Sequence, residues 1–236
     1  GLSDVLIDTA SEYVGTVPSG LSGNPQGNTT LGIEAGLNLT SGGGNSLVGD
    51  DAGKTITTGA RNVALGQISM SAAATGINDT VAVGYSSGSQ ATGSSSVHVG
   101  RFAAYTNQAT AHISIGQQAG LSQTSGASNT NIGYQAGFSN TTGGFRTMLG
   151  YQAGKSQTGG NNTFLGSLSG GSRSGSGSGN TGVGANALRY VENSNNTALG
   201  NGAGQYADST SSNNVMIGKN AMGGAFGSKS NNVAVG

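Results

Sequence analysis

The sequence predicts an all-β fold, a parallel β-solenoid or β-roll of about 12–13 coils of ~17 residues each, and three observations support it. A short apolar phrase ending in glycine returns thirteen times, at spacings between 16 and 18 residues. Residues two apart within the phrase are apolar or β-branched, which is the period of a strand. Glycine contributes 46 of the 236 residues, which suits frequent sharp corners and leaves little material for a conventional core.

The register of the repeat is set by the glycine that closes each phrase, here called the marker glycine. The residue before it is Leu, Val or Ile in all thirteen copies, and the residue three before it is Thr, Val or Ile in all copies except that with Ser46. Such residues favour extended strands over helices. The marker glycines are Gly32, Gly49, Gly66, Gly84, Gly100, Gly116, Gly133, Gly150, Gly166, Gly184, Gly200, Gly218 and Gly236.

Two further positions describe the inside of a coil. Ala or Ser stands three residues after the marker glycine in every complete copy, which predicts a narrow interior. Asn stands four residues before it in nine of the thirteen copies, which predicts a ladder of stacked side-chain amides. We expect the residues one and three before the marker glycine to point inward. The residue two before it should then point outward.

The expected outward position is apolar in many copies, which predicts an interface along the solenoid. We therefore expect the chain to associate with copies of itself through this row, as a homotrimer if closure is the three-fold one that the resemblance described below implies. In such a trimer His98, which belongs to the same row, would form an axial ring of three imidazoles able to hold an ion; no other metal site is expected. The interface candidates are Leu47, Ala64, Ala82, Met148, Phe164, Ala198 and Met216.

Two regions follow from the repeat. Residues 28–236 form the β-solenoid repeat region, and because Gly236 completes a phrase we expect further repeats beyond it. Residues 1–27 contain both prolines and lack the phrase, so they are a cap or a linker to an upstream domain. Within them Val5-Leu6-Ile7 predicts a short strand.

Composition argues against several classes of function. Nine acidic residues balance nine basic ones, so no electrostatic footprint for nucleic acid is present. Cysteine is absent, and no apolar run approaches the ~20 residues of a membrane-spanning helix. We expect neither nucleic-acid binding nor membrane insertion.

Acidic residues on consecutive coils are the one candidate for catalysis. Asp50 and Asp51 are possible Ca²⁺ ligands, and two carboxylates among Glu34, Asp50 and Asp51 could form a hydrolytic pair. An exposed acidic corner explains Asp50 and Asp51 better than a calcium site, and no acid, base and nucleophile converge elsewhere. We therefore predict no enzyme activity, no catalytic residue and no cofactor.

Aromatic residues are the candidates for ligand binding. Tyr134 and Tyr151 follow marker glycines on adjacent coils, and Tyr85 shares their register. They form either a structural aromatic ladder or a platform on which sugars stack. Exposed return segments containing Phe145, Tyr190 and Tyr206 are a second possible contact surface.

The phrases resemble repeats of known fibrous proteins. Leu149-Gly150-Tyr151-Gln152-Ala153-Gly154 is similar to repeats of bacteriophage tail-fibre proteins, and Asn231-Asn232-Val233-Ala234-Val235-Gly236 more distantly resembles the head repeats of trimeric autotransporter adhesins. The resemblance covers residues 28–236. It implies a stacked, trimeric β-roll in an extended fibre on a virion or cell surface. This chain has longer returns than the adhesin pattern and shows no stalk or anchor.

These observations predict a structural and adhesive fibre segment. A tail-fibre shaft involved in host attachment, located on the virion surface and in contact with a host glycan or protein, is preferred. The alternative is a bacterial surface adhesin head that binds glycan or host matrix. An ice-binding β-roll is a remote third alternative. Such a protein needs an outward row of threonines, whereas the expected outward row contains only Thr30.

Overall fold

The chain forms a parallel β-solenoid of about 12 turns of ~17 residues, with no helix among the residues that the structure describes. A computed structural model describes residues 5–8, 11–22, 25–171, 174–206, 211–224 and 230–236. The strands are β1 Val5–Asp8, β2 Ser11–Gly15, β3 Thr29–Gly32, β4 Ser46–Val48, β5 Val63–Leu65, β6 Val81–Val83, β7 Val97–Val99, β8 Ile113–Ile115, β9 Thr130–Ile132, β10 Thr147–Leu149, β11 Thr163–Leu165, β12 Thr181–Val183, β13 Thr197–Leu199, β14 Val215–Ile217 and β15 Val233–Val235. They belong to two compact units, residues 1–117 and 118–236.

In the first unit, strands β2 to β8 pair in chain order and all in parallel. Equivalent positions of the repeat face each other, so that Leu47 of β4 lies between Thr30 of β3 and Ala64 of β5. Each coil thus adds one short strand to the growing sheet, and the period of the sequence is the period of the stack.

The stack begins earlier than the predicted boundary at residue 28. β2 pairs in parallel with β3, and the register places Gly15 opposite the marker glycine Gly32. A strand in the register of the repeat therefore lies within residues 1–27, although the phrase itself is incomplete there. Glu12 stands where the phrase has Thr, Val or Ile, and Pro18 stands where it has Ala or Ser. β1 confirms the strand predicted at Val5-Leu6-Ile7. It pairs antiparallel with β2 and covers the free edge of β2, as a cap would.

The second unit repeats the same pattern from β9 to β15. Consecutive strands again pair in parallel and in register. Met148 of β10, for example, lies between Asn131 and Phe164. No helix long and apolar enough to cross a membrane occurs in the described ranges of either unit.

The marker glycines are required for two independent reasons. From Gly32 to Gly218 their φ angles lie between +122° and +142°, a region that side chains rarely allow. A Cβ atom built on Gly66 would also lie 2.7 Å from the carbonyl oxygen of Gly84 in the next coil. Coils therefore stack at their corners with backbone against backbone, which confirms the prediction of a glycine corner.

The predicted asparagine ladder is present. The Nδ2 atom of Asn45 donates to Oδ1 of Asn28 at 3.0 Å and to the carbonyl of Gly59 at 2.9 Å. Its Oδ1 atom accepts the backbone N–H of Asn62 at 3.0 Å. The side chain of Asn45 therefore links its own coil to backbone at Gly59 and Asn62. These hydrogen bonds satisfy buried polar groups that would otherwise lack partners.

The interior is narrow, as the Ala and Ser positions predict. Ala35, Ala52 and Ala153 have no exposed surface. Where serine takes this position its hydroxyl bonds to a nearby carbonyl, as in the 3.0 Å bond from Ser69 Oγ to the oxygen of Ala82. A small side chain lets the facing wall of the coil approach closely.

The face of the strand that points inward is the opposite of the expected one. Residues two before the marker glycine are buried, whereas residues one and three before it form the outer face. Met148 is completely buried, while its neighbour Leu149 is 42% exposed. The prediction failed because both faces of these strands are apolar, so alternation alone does not tell inside from outside.

Candidate interaction surfaces

The outer face of the strands presents a continuous row of aliphatic side chains, here called the outer aliphatic row. It consists of the residue before each marker glycine, and Leu199 at 50% exposure is one of its most open members. In the first unit the row contains Leu31, Val48, Leu65, Val83, Val99 and Ile115, and in the second Ile132, Leu149, Leu165, Val183, Leu199, Ile217 and Val235. The outer face of a solvated sheet is normally polar where the buried face is apolar, so a wholly aliphatic outer row is unusual for a face in contact with water.

The interface residues expected from the sequence do not lie on this surface. They point into the coil and pack against one another in the apolar cores of the two units. This corrects the prediction for Leu47, Ala64, Ala82, Met148, Phe164, Ala198 and Met216, none of which is more than 1% exposed. Side chains enclosed by their own coil are not available to a second chain.

His98 occupies the same inward position and has no exposed surface. It is enclosed with Asn107, whose Nδ2 atom lies 3.4 Å from the imidazole Nε2 atom. The expected axial ring of three histidines is therefore ruled out, because the side chain does not reach the outside of the coil. Burial lowers the pKa of His98 from 6.5 to about 3, and the nearby charge of His112 adds to the effect.

A row of threonines accompanies the outer aliphatic row in the second unit, and we call it the outer threonine row. Five consecutive strands carry threonine three residues before the marker glycine, namely Thr130, Thr147, Thr163, Thr181 and Thr197. All five face outward and are partly or fully exposed. The row that contains only Thr30 faces inward. Its lack of threonine therefore does not argue against an ice-binding surface.

Tyrosines and glutamines form a polar-aromatic corner in the second unit. The rings of Tyr134 and Tyr151 stack with centroids 5.4 Å apart and planes 12° apart. Beside them Gln152 donates through Nε2 to Oε1 of Gln135 at 2.8 Å, and Gln135 donates in the same way to Gln118. Both rings keep exposed edges, next to amide groups that donate and accept hydrogen bonds.

Tyr85 does not extend this stack. It lies in the first unit and meets Phe102 edge to face, with centroids 5.4 Å apart. The guanidinium of Arg101 lies 4.5 Å from the centroid of the Phe102 ring. The expectation that Tyr85 is a third member of the same ladder is not met, because Arg101 takes the equivalent position on the next coil.

The acidic candidates gather around a lysine. The Nζ atom of Lys54 bonds to Glu34 Oε2 and lies 3.2 Å from Asp51 Oδ1. These contacts raise the pKa of Lys54, chiefly through the hydrogen bond to Glu34. Asp50 instead accepts from the Nε2 atom of exposed Gln67 at 3.2 Å. Surface contacts with Lys54 and Gln67 account for the partners of these carboxylates.

Two features were not recognised from the sequence. Tyr190 and Tyr206, which lie in return segments, form a second stack with ring centroids 5.1 Å apart. Arg146 occupies the ladder position of its coil and its side chain is buried, although arginine is a residue type usually found on protein surfaces. Its register, four residues before Gly150, is the signal that places it among the inward-facing ladder residues.

Among the described residues, no group of three or more His, Cys, Asp or Glu side chains is arranged to hold a metal ion. No family model, curated protein or solved structure matches the chain.

Proposed function

We propose that this chain is a segment of a structural and adhesive fibre that assembles as a homotrimer through its outer aliphatic row. The row is the observation that carries the proposal, because thirteen copies of the repeat keep Leu, Val or Ile on the outside of a solenoid. Burying such side chains is favourable by roughly 1.5–3 kcal/mol each when they become fully covered. Repetition along every coil suits a partner that has the same repeat, and a second copy of the chain meets that requirement.

Three-fold closure and the role in host attachment rest on the resemblance to tail-fibre repeats. A closed cyclic arrangement covers the outer aliphatic row of every chain, whereas an open one leaves a face exposed. A tail-fibre shaft on a virion surface is the preferred setting. A bacterial adhesin head is the alternative, and both settings require a contact with a host glycan or protein.

Assembly is tested by light scattering of the purified chain at dilute concentration. The wild type should contain three chains, and the double variant Leu149→Lys and Leu199→Lys should be monomeric with an intact β spectrum. The double variant Thr142→Lys and Asn201→Lys is the matched control, because it adds the same two charges at exposed positions outside the row. A wild-type chain that is a folded monomer contradicts the proposal, as does a trimer that survives both lysines.

The adhesive part of the proposal is assigned to the corner formed by Tyr134, Tyr151, Gln135 and Gln152. Aromatic rings beside amides suit an uncharged sugar, which stacks through its C–H face and bonds through its hydroxyls. A glycan array probed with the wild type should give hits that Tyr151→Ala removes. Tyr206→Ala, which disrupts the other tyrosine stack, should retain them. Binding that is lost in both variants or in neither contradicts this assignment.

A second candidate function follows from the outer threonine row of the second unit. Regularly spaced hydroxyls and methyl groups on a flat parallel sheet, ~4.8 Å apart from strand to strand, are suited to ordering water at an ice surface. This function requires the outer face to be open, whereas self-association requires it to be covered. Thermal hysteresis in a monomeric wild type, lost in Thr163→Lys, would favour ice binding over the fibre.

We also propose that the chain catalyses no reaction. Lys54 pairs with two of the three candidate carboxylates, so these groups have a structural partner. Common polysaccharides incubated with the chain should remain intact. Hydrolysis that disappears in Asp51→Asn, with the fold retained, would contradict this.

A further inference from the structure

Arg146 is a buried cation in a position that other coils fill with a neutral amide. It stands four residues before Gly150, in ladder register with Asn129 and Asn162, and its side chain is 1% exposed. Its Nη1 atom donates to the carbonyl of Gln157 at 2.7 Å and lies 3.4 Å from that of Gly159. Its Nε and Nη2 atoms have no hydrogen-bond partner.

The guanidinium has no counter-charge within the described part of the chain. The ion pairs found there involve Lys54 and Arg61, and neither includes Arg146. Burial lowers the pKa of Arg146 from its ordinary value to about 9, so the group remains charged at neutral pH. A buried charge is strongly unfavourable unless an opposite charge or a full set of hydrogen bonds accompanies it.

The same substitution breaks the ladder at the next coil. In a regular step the side-chain oxygen of one ladder residue accepts the backbone N–H of the next, as Asn162 Oδ1 accepts from Asn180 at 2.8 Å. Arginine has only donors and offers no such oxygen. Among the described residues, the N–H of Asn162 consequently has no acceptor.

These two features adjoin each other, because Thr147 pairs with Thr163 and the N–H of Thr147 donates to the carbonyl of Asn162. Arg146 contributes two nitrogens, Nε and Nη2, with unpaired N–H groups and a positive charge, and the adjoining ladder step contributes a backbone N–H that lacks its oxygen. A set made only of donors suits an acceptor-only ligand, and the charge favours an anion over neutral water. The surroundings restrict the size of the anion. A Cβ atom on Gly143 would lie 2.6 Å from the oxygen of Gly159 and 2.9 Å from Nη1 of Arg146.

We propose that a small monovalent anion, a halide such as chloride, binds inside the second unit between Arg146 and Asn162. It takes the place of the missing ladder oxygen and accepts hydrogen bonds from Nε and Nη2 of Arg146 and from the N–H of Asn162. The ion thereby offsets the buried charge and restores the link between two coils. A compact halide suits a guanidinium that is enclosed by the coil better than a polyatomic anion such as phosphate. The inference goes beyond the fibre function and does not depend on it.

Bromide diffraction is the direct test, since bromide replaces chloride and has an anomalous signal. Crystals of the whole chain grown in sodium bromide should show an anomalous peak in hydrogen-bond contact with Arg146 and Asn162. The same experiment on Arg146→Asn should show no peak there. Water or empty space beside Arg146 in bromide-grown crystals would overturn the proposal.

Solution stability is the second readout. The unfolding equilibrium is measured in sodium bromide and in sodium gluconate at equal ionic strength, because gluconate is too large to enter. Above saturation, a tenfold rise in bromide should shift the folding equilibrium of the wild type tenfold toward the native state. Arg146→Asn, which restores a regular ladder residue, should fold and lose this dependence. Arg61→Asn, at an exposed arginine paired with Asp79, should keep it. Equal bromide dependence in the wild type and Arg146→Asn would overturn the proposal.

Discussion

The Nδ2 atom of Asn107 lies 3.4 Å from Nε2 of His98 inside the first unit, and the orientation of the amide is set by its other end. Oδ1 of Asn107 accepts the backbone N–H of Ala109 at 3.1 Å, so the amide hydrogens face the imidazole. Nε2 is therefore favoured as an acceptor, which requires a neutral ring. Protonation of Nε2 would bring donor against donor in a buried site.

Acidification should consequently destabilise the chain through His98. Its pKa is 6.5 when exposed and about 3 in the fold, so the unfolded state binds the proton first as the pH falls. The stability present above pH 6.5 should decline between pH 6.5 and about 3, by at most roughly 5 kcal/mol at 1.36 kcal/mol per pH unit. Denaturant unfolding at several pH values measures this loss. His98→Asn should show a shallower decline, and an unchanged slope would contradict the prediction.

Adjacent residues of β10 should respond to truncation in different ways. Met148→Ala empties a buried site and should lower the free energy of unfolding by about 2–5 kcal/mol at any protein concentration. Leu149→Ala shortens an exposed side chain and should act on association, which raises the concentration needed for assembly. Denaturant titration and light scattering separate the two effects. If Met148→Ala yields stable, dissociated chains, the assignment of inside and outside is wrong.

The marker glycine Gly66 should be irreplaceable, while Gly76, in a return segment, should not. Gly66→Ala combines a φ of +131° with a Cβ atom 2.7 Å from the oxygen of Gly84. The backbone strain alone costs about 1–3 kcal/mol, and the clash adds to it. Gly76→Ala is the control, since its nearest contact is the Thr58 hydroxyl at 3.4 Å. Thermal unfolding should show a large loss for the first variant and little change for the second.

Removing one amide of the ladder should cost more than removing an exposed amide. Asn45→Ala leaves the N–H of Asn62 and the carbonyl of Gly59 without their side-chain partner, at about 1–3 kcal/mol for each buried group left unsatisfied. Asn38→Ala removes an exposed amide from a return of the same unit. Similar free energies of unfolding for the two variants would show that the ladder does not stabilise the stack.

Much of the fold was predictable because it depends on local rules repeated many times. A corner that needs glycine, a wall that admits only Ala or Ser, and an amide that bonds to its counterpart each place a recognisable residue at a constant spacing. The strand at Ser11–Gly15 was not predicted because Glu12 and Pro18 stand where the repeat has a β-branched residue and Ala or Ser, although Gly15 keeps a positive φ and the register of a corner.

The surface was harder to predict than the stack. The regularity of Leu, Val and Ile before the marker glycine suggested an inward position, whereas the inward position holds residues as different as Phe164, Ser114 and His98. At the inward position a large side chain on one coil can be accommodated by a small residue on the next coil. Phe164 lies beside Gly182 in this way. The outer aliphatic row does not alternate large and small residues in this way and contains only Leu, Val and Ile.

The sequence by itself determined the period, the glycine corners, the narrow interior and the amide ladder, because each follows from backbone geometry that recurs in every coil. Only the tertiary structure decided which face of the strands is enclosed. It also stacked Tyr190 on Tyr206 and placed Arg146 beside a broken ladder step. The physical reason is that alternation specifies two faces without ranking them, and only the closure of the coil brings the returning segment over one face and leaves the other outside.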